Sequence, residues 1–112
     1  MKEYLFSYGT LQKKNVQSDL FGRLLTGSND ILRGYKTSSI KITDKSFLAK
    51  GEQEYQLTTV VSNNKDDSIE GTVFEVSAEE LLVADKYEPA NYKRVKVELD
   101  SGKKAWIYIA PQ

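Results

Sequence analysis

The chain has 112 residues, which suits a single domain spanning residues 1–112. Its 16 basic and 16 acidic side chains balance, so no positive excess points to nucleic acid or to an anionic membrane. The chain has no cysteine and no histidine, which excludes disulfides, thiol nucleophiles, imidazole zinc ligands and Ser-His-Asp triads and leaves a carboxylate as the expected base.

The first half of the chain predicts strands around one helix. Residues 3–8 are aromatic and apolar and run into a glycine, which is typical of a strand. Over residues 15–26 apolar side chains recur at four-residue steps, which predicts a helix with Gly27 as its stop. Residues 33–43 predict a strand broken by loops, and residues 44–51 a connection.

The second half predicts a hairpin. Residues 55–62 are β-branched with a period of two, and the polar residues 63–67 follow as a turn. Residues 69–76 then predict the returning strand, so we expect the two strands to pair with each other.

A helix with a clear start follows the hairpin. Ser77 lies three residues before Glu80, which is the spacing of a capping box, and predicts a helix over residues 78–87. Pro89 disfavours helical angles in the residue before it, so we expect Glu88 to leave the helix and to be extended.

The last part predicts two more strands, at residues 92–99 and 105–110, with a turn between them. Many short strands with about two helices indicate an α+β fold. The predicted architecture is a small, mixed, mostly antiparallel β-barrel, closed or nearly closed, with two flanking helices.

One candidate site is the segment after the first strand, which we call the Tyr8 turn. A strand that enters a glycine turn leaves backbone N–H groups at the sheet end, and such amides can form a concave anion site. A plain strand end with a turn glycine explains the same residues and is the more common case. The four residues of the Tyr8 turn are Tyr8, Gly9, Thr10 and Leu11.

The other candidate is Glu88. Most glutamates are surface carboxylates without a further role. Tyr87 and Tyr92 flank this one in sequence, and their rings can line a pocket and donate hydrogen bonds. Glu88 is therefore the candidate acid or base.

These segments and their surroundings resemble the gamma-glutamylcyclotransferase-like superfamily. Its members typically open with an apolar strand ending in Tyr-Gly-Thr/Ser-Leu, matched by residues 5–11, and have a middle strand with a glycine and an aromatic, matched by residues 69–76. A helix ending in Asp-x-hydrophobic-Glu is matched by residues 85–88, and the following Tyr-x-Arg and valine strand by residues 92–97. Members often carry glycine after the glutamate, where this chain has Pro89. The short length is more similar to the branch that includes gamma-glutamylamine cyclotransferases.

The resemblance implies an enzyme that releases 5-oxoproline from a small gamma-glutamyl compound. In the family the α-amine of the substrate attacks its own γ-carbonyl, with no cofactor or metal. By this analogy Glu88 is the general acid/base, and the substrate is bound by the Tyr8 turn and by Tyr92.

Other interpretations stay open from the sequence. The same fold could be a non-catalytic small-molecule binding or regulatory module, or its aromatic residues could form an interface, although aromatics in strands usually fill a core. Asp66-Asp67 is better explained as part of a solvated loop than as a metal site. No apolar run approaches the roughly 20 residues of a membrane-spanning helix, and Glu3 stands where a signal peptide would carry bases, so we expect a cytoplasmic protein with no membrane partner. The oligomeric state stays open.

Overall fold

The computed structural model describes residues 2–50, 55–62, 64, 66–88 and 92–109 of the chain. The strands in these segments are β1 (Lys2–Ser7), β2 (Gly27–Arg33), β3 (Tyr35–Lys41), β4 (Tyr55–Val61), β5 (Ser68–Ser77), β6 (Lys93–Glu98) and β7 (Lys104–Ile109). The helices are α1 (Lys14–Phe21), α2 (Lys45–Leu48) and α3 (Ala78–Tyr87), with a 3-10 turn at Thr10–Gln12. Of the helices in the described segments, none has the length and apolar character to cross a bilayer.

Five of the strands form one sheet in the order β2-β5-β1-β7-β6. All neighbours in it run antiparallel except β1 and β7, which are parallel with Leu5 opposite Trp106. Strands β3 and β4 pair with each other in a separate antiparallel sheet, in which β3 contacts β5 and β4 contacts β7. The fold is thus mixed and mostly antiparallel, which confirms the predicted α+β class.

The two edges of the large sheet meet at the turn between β6 and β7. The N–H of Asp100 donates to the carbonyl oxygen of Ile31 at 2.8 Å. The Ser101 hydroxyl donates to Asp30 Oδ2 at 2.5 Å, and Arg33 pairs with Asp100 at 2.6 Å. Between the described parts of β2 and β6, however, no ladder of backbone hydrogen bonds forms. The predicted barrel is therefore not closed, because only the β6–β7 turn reaches β2.

Apolar side chains fill both faces of this sheet. Leu5 and Phe6 are consecutive and both almost fully buried, because alternate residues of a strand point to opposite faces. The helix-side core, between the sheet and the helices, contains Leu5, Leu11, Val16, Leu25, Ile42, Phe47, Phe74, Val76, Leu81, Ala84, Tyr87 and Tyr108. The inner core, on the opposite face, contains Phe6, Leu32, Ile69, Val73, Leu99, Ala105 and Ile107.

The first helix is shorter than its sequence pattern predicts. It ends at Phe21, and Gly22 follows as the cap with φ 68°, a left-handed conformation that glycine adopts easily. Gly27, the predicted stop, is instead the first residue of β2. The predicted broken strand at residues 33–43 is the end of β2, a turn at Gly34 with φ 80°, and β3.

The predicted hairpin of β4 and β5 is wrong. Strand β4 pairs with β3, while β5 lies between β1 and β2. The reason is burial: β5 places side chains in both cores, among them Val73 and Phe74, so it needs neighbours on both edges within the large sheet. The predicted connection at residues 44–51 contains α2, whose first turn is capped by Asp44; residue 51 lies outside the described residues.

The predicted α3 is confirmed with the same bounds. Ser77 accepts a bond from the N–H of Glu80, and the Glu80 side chain accepts one from the N–H of Ser77, which forms the capping box. Glu88 leaves the helix with φ −67° and ψ 148°, as expected for an extended residue. Pro89, on which that expectation rests, lies outside the described residues. Strands β6 and β7 agree with their predicted positions to within about a residue.

Candidate functional site

The two candidate segments meet through one residue of the last strand. The hydroxyl of Tyr8 donates to the carbonyl oxygen of Tyr108 at 2.7 Å. The hydroxyl of Tyr108 donates to Asp85 Oδ1 at 2.6 Å, near the end of α3. Tyr108 therefore joins the Tyr8 turn to the segment that ends in Glu88, although the two are far apart in sequence.

Glu88 lies at the C-terminal cap of α3 and is partly buried. Its N–H donates to the carbonyl oxygen of Ala84 at 3.1 Å, so its backbone is held by the last turn of the helix. Burial is the main cause that raises the pKa values of Tyr8, Tyr92 and Tyr108, and the negative charge of Glu88 raises each of them further. Glu88 is thus near enough to Tyr8 and Tyr92, the other candidate residues, for its charge to act on their phenols.

Tyr87 has a different position from the one that its sequence suggests. Its ring is buried in the helix-side core and meets Phe47 edge to face, with ring centroids 5.8 Å apart. The Lys50 ammonium donates to the Tyr87 carbonyl oxygen at 3.1 Å and lies 5.0 Å from the centre of its ring. Tyr87 is therefore a core residue that fixes the end of α3, and a cation next to a helix C-terminus is favourable there.

The Tyr8 turn closes as a 3-10 turn. The carbonyl oxygen of Gly9 accepts a bond from the N–H of Gln12 at 3.1 Å, and the N–H of Gly9 donates to Ser7 Oγ at 3.3 Å. Gly9 does not have a positive φ, so its backbone angles alone do not require glycine. Apart from its chain neighbours, no atom of the described residues lies within 4 Å of the position that a Cβ would take, so the space over Gly9 is open to a ligand. The backbone of Thr10 belongs to the turn, and Leu11 is buried in the helix-side core.

A buried glutamine holds this turn. Gln17 of α1 donates through Nε2 to the carbonyl oxygen of Leu11 at 2.9 Å and accepts through Oε1 from the N–H of Leu25 at 2.9 Å. No motif in the sequence points to Gln17. The helical pattern predicts Leu24 on the buried face, yet Leu24 is 51% exposed and Gln17 is 4% exposed. A polar residue next to Val16 in a short apolar pattern is only a weak signal for such a role.

The helix end is held by an ion pair. Arg94 of β6 approaches Asp85 through two nitrogens, at 3.0 Å and 3.2 Å, a bidentate geometry that favours arginine over lysine. The Arg94 guanidinium also lies 4.5 Å from the centre of the Trp106 ring. Asp85 is thus bonded on one side by Arg94 and on the other by Tyr108. In the described segments no three acidic side chains come together as a possible metal site.

Two consecutive threonines of β4 complete the surroundings of Tyr8. Thr58 and Thr59 are almost fully buried, and their hydroxyls lie beside the Tyr8 phenol. There they act to lower the pKa of Tyr8, against the larger effect of burial, which raises it. A pair of threonines in a β-branched strand gave no signal for this position, because threonine is common in strands.

Comparison with known proteins connects this geometry to a family. The chain matches the family model described as "Gamma-glutamyl cyclotransferase, AIG2-like" over residues 5–112. No curated protein is similar enough to match the chain. A solved structure named "Gamma-glutamyl cyclotransferase" is similar with a TM-score of 0.74 at 15% identity, covering 100% of this chain and 68% of that one.

Two further solved structures share the fold. An Arabidopsis thaliana protein solved in solution is similar with a TM-score of 0.69 at 23% identity, covering 98% of this chain and 62% of that one. The Bacillus subtilis protein YkqA has a TM-score of 0.64 at 25% identity, covering 98% of this chain and 36% of that one. The chain therefore spans about three-fifths of the Arabidopsis protein and about a third of the Bacillus protein.

Proposed function

The chain belongs to the gamma-glutamyl cyclotransferase, AIG2-like family, and we propose that it is an enzyme that releases 5-oxoproline from a small gamma-glutamyl compound. The observation that carries this proposal is the position of Glu88, whose charge lies close to the phenol of Tyr8 at the start of the turn. In this proposal a carboxylate that can accept a proton and a turn that can hold an anion serve one site.

The proposed reaction is an internal cyclisation of the substrate. A bond forms between the α-nitrogen and the γ-carbonyl carbon, the γ-amide bond breaks, and the amine partner leaves. Because the nucleophile is tethered to its target, no covalent enzyme intermediate is needed. A well-oriented internal attack can contribute about 7–11 kcal/mol toward the barrier, which fits a site without histidine or cysteine.

Glu88 is the proposed general base and acid. An α-amine has a pKa of roughly 7.7–8, so most of it is protonated at neutral pH and must lose a proton before it attacks. The α-ammonium gives up two protons, one before the attack and one as the ring C–N bond forms. Glu88 accepts each in turn and passes it to the leaving nitrogen, which departs as an ammonium, so the protons balance. Its place just beyond the last turn of α3, partly buried among phenols, supports this role.

The Tyr8 turn is the proposed site for the anionic groups of the substrate. The space over Gly9 is open, so the oxygen atoms of a glutamyl group can approach the backbone of residues 8–11 closely. N–H groups aimed at a developing oxyanion are typically worth about 10²–10³ in rate each. Tyr92, near both Tyr8 and Glu88, is the proposed wall of the site. The same proposal includes a cytoplasmic enzyme that works without a cofactor.

The test is the release of 5-oxoproline, measured by mass spectrometry, from gamma-glutamyl amino acids, peptides and amines. We expect turnover of at least one class by the wild-type protein and a loss of about 10²-fold or more in Glu88→Gln. Glu79→Gln, an exposed acid at the other end of the same helix, is the matched control and should keep full activity.

Two results would contradict the proposal. A folded Glu88→Gln protein with normal turnover would exclude Glu88 as the base. A folded wild-type protein that releases no 5-oxoproline from any compound would instead favour a non-catalytic binding module that holds its ligand at the Tyr8 turn.

A further inference from the structure

Thr59, in the middle of β4, has a buried hydroxyl without a hydrogen bond. The residue is 3% exposed, and its Oγ1 has no hydrogen-bond partner within the part of the chain that the structure describes. A buried hydroxyl in this state destabilises the fold, because it has lost water and gained nothing in return. Such a group in a native protein calls for an explanation, and a role in ligand binding or catalysis is one.

The neighbour of this hydroxyl is the phenol of Tyr8. Strand β4 packs against β7, and the carbonyl oxygen of Tyr108 in β7 accepts the proton of the Tyr8 hydroxyl at 2.7 Å. The Thr59 hydroxyl lies beside the same phenol without reaching hydrogen-bond geometry, and it already acts there to lower the pKa of Tyr8. A phenol oxygen that donates its single proton still has acceptor capacity, so Tyr8 can receive a bond that Thr59 is able to give.

We propose that Thr59 is a positioning residue whose hydroxyl bonds to the Tyr8 phenol oxygen only when a ligand engages that phenol. This inference rests on the proposed cyclotransferase function and deepens it. In the free protein the Tyr8 proton is held by the Tyr108 carbonyl. When Tyr8 turns that proton toward an anionic oxygen of the substrate, negative charge grows on the phenol oxygen and the Thr59 bond becomes favourable.

The consequence is a bond that the reacting complex has and the free protein lacks. An interaction that strengthens with developing charge raises kcat more than it lowers KM. The unpaired hydroxyl thus destabilises the free protein, and the bond formed in the reacting complex offsets this loss of free energy. Removing the hydroxyl should therefore stabilise the protein and slow the reaction, a combination that a purely structural threonine does not give.

The experiment compares Thr59→Val with Thr59→Ser, because valine keeps the branched shape without the hydroxyl and serine keeps the hydroxyl. We expect Thr59→Val to raise the melting midpoint by on the order of 4 °C. Its kcat should fall about tenfold with KM within about twofold, the size of one hydrogen bond. Thr59→Ser should restore most of kcat. Thr58→Val is the matched control; Thr58 is equally buried but already makes a polar contact, so its loss should lower the midpoint.

A lower midpoint for Thr59→Val with unchanged kcat would overturn the inference. Failure of the proposed function is a separate result, because it appears as a wild-type protein that releases no 5-oxoproline. In that case the role of Thr59 is tested by the rise in melting midpoint that saturating 5-oxoproline causes in each protein. A smaller rise in Thr59→Val than in wild type supports the role of Thr59, and an equal rise, or none in either protein, overturns it.

Discussion

The two halves of the candidate site are held in place by different physics. The Tyr8 turn is tied down by Gln17, a neutral amide that is 4% exposed and bonds only to backbone groups. The end of α3 is tied down by Asp85 and Arg94, whose charged side chains are 34% and 23% exposed. Loss of a buried neutral partner leaves unsatisfied groups, whereas water can replace an accessible ion pair. The half proposed to hold an anion is therefore rigid and insensitive to pH, and the half proposed to move a proton is the softer one.

The largest expected effect comes from the buried amide. Gln17→Leu keeps the volume but leaves the carbonyl of Leu11 and the N–H of Leu25 without their partner. We expect a loss of about 3 kcal/mol in the free energy of unfolding, measured by urea denaturation. Gln12→Leu, an exposed glutamine in the adjacent turn, is the control and should lose less than about 1 kcal/mol. A loss for Gln17→Leu as small as that of the control would show that the turn is not held in this way.

A smaller effect is expected at the helix end. Tyr108→Phe removes the 2.6 Å hydrogen bond to Asp85, which stays paired with Arg94 and accessible to water. We expect a loss of about 1.5 kcal/mol in the free energy of unfolding. Tyr4→Phe, at a strand tyrosine that is only partly buried, is the control and should be close to neutral. If Tyr108→Phe destabilises the protein more than Gln17→Leu does, the end of α3 is held more strongly than the Tyr8 turn, which is the opposite of what we expect.

The smallest effect tests the same contrast between charged and neutral contacts by pH, at the start of α3. Hydrogen bonds from Arg23 are the main cause that lowers the pKa of Glu80, at the start of α3, and burial opposes them. Because the folded pKa is lowered, the stabilisation is present above the unfolded value of about 4.3 and is lost as the pH falls through the folded value.

We therefore expect Glu80→Gln to be about 1 kcal/mol less stable than wild type at pH 7 and equally stable near pH 2, measured by denaturation across this range. The cost of Gln17→Leu should not change with pH over the same range. If the difference in free energy of unfolding between Glu80→Gln and wild type is as large in acid as at pH 7, the charge of Glu80 does not contribute to stability.

The parts of the fold that the sequence predicts well are those with local causes. The start of α3 depends on Ser77 and Glu80, three residues apart, and its end is predicted from the proline that follows Glu88 in the sequence. Each signal acts within a few residues, so no knowledge of the tertiary structure is needed to interpret it. The bounds of α3 were accordingly predicted without error.

Strand pairing failed because its causes are distant in sequence. The strand pattern and the turn residues within residues 55–76 do not indicate that β5 pairs with β1 and β2 rather than with β4. Two glycines carried that information: a Cβ on Gly71 would lie 2.5 Å from the carbonyl oxygen of Ser7, and one on Gly27 would lie 2.5 Å from the ring of Phe74. Gly27 is thus a position of close packing against β5, not the end of a helix.

The candidate site divides in the same way. Tyr8, Tyr92 and Glu88 stand in motifs whose order along the chain pointed to a family, and the structure brings their side chains close together. Gln17 and Thr59 stand in no motif. Their importance arises from burial, and burial of a single polar residue depends on which elements pack around it.

The parallel pairing of the first and last strands has a consequence for synthesis. The acceptor of the Tyr8 hydroxyl is the carbonyl of Tyr108, 100 residues further along the chain. During translation β1 can pair with β5 once residue 77 has left the ribosome, but its other edge stays open until β7 emerges. The nascent protein thus exposes an unpaired strand edge, a template for aggregation, until β7 has emerged. Its site is assembled in one late step rather than half by half, and contacts so distant along the chain make that step slow.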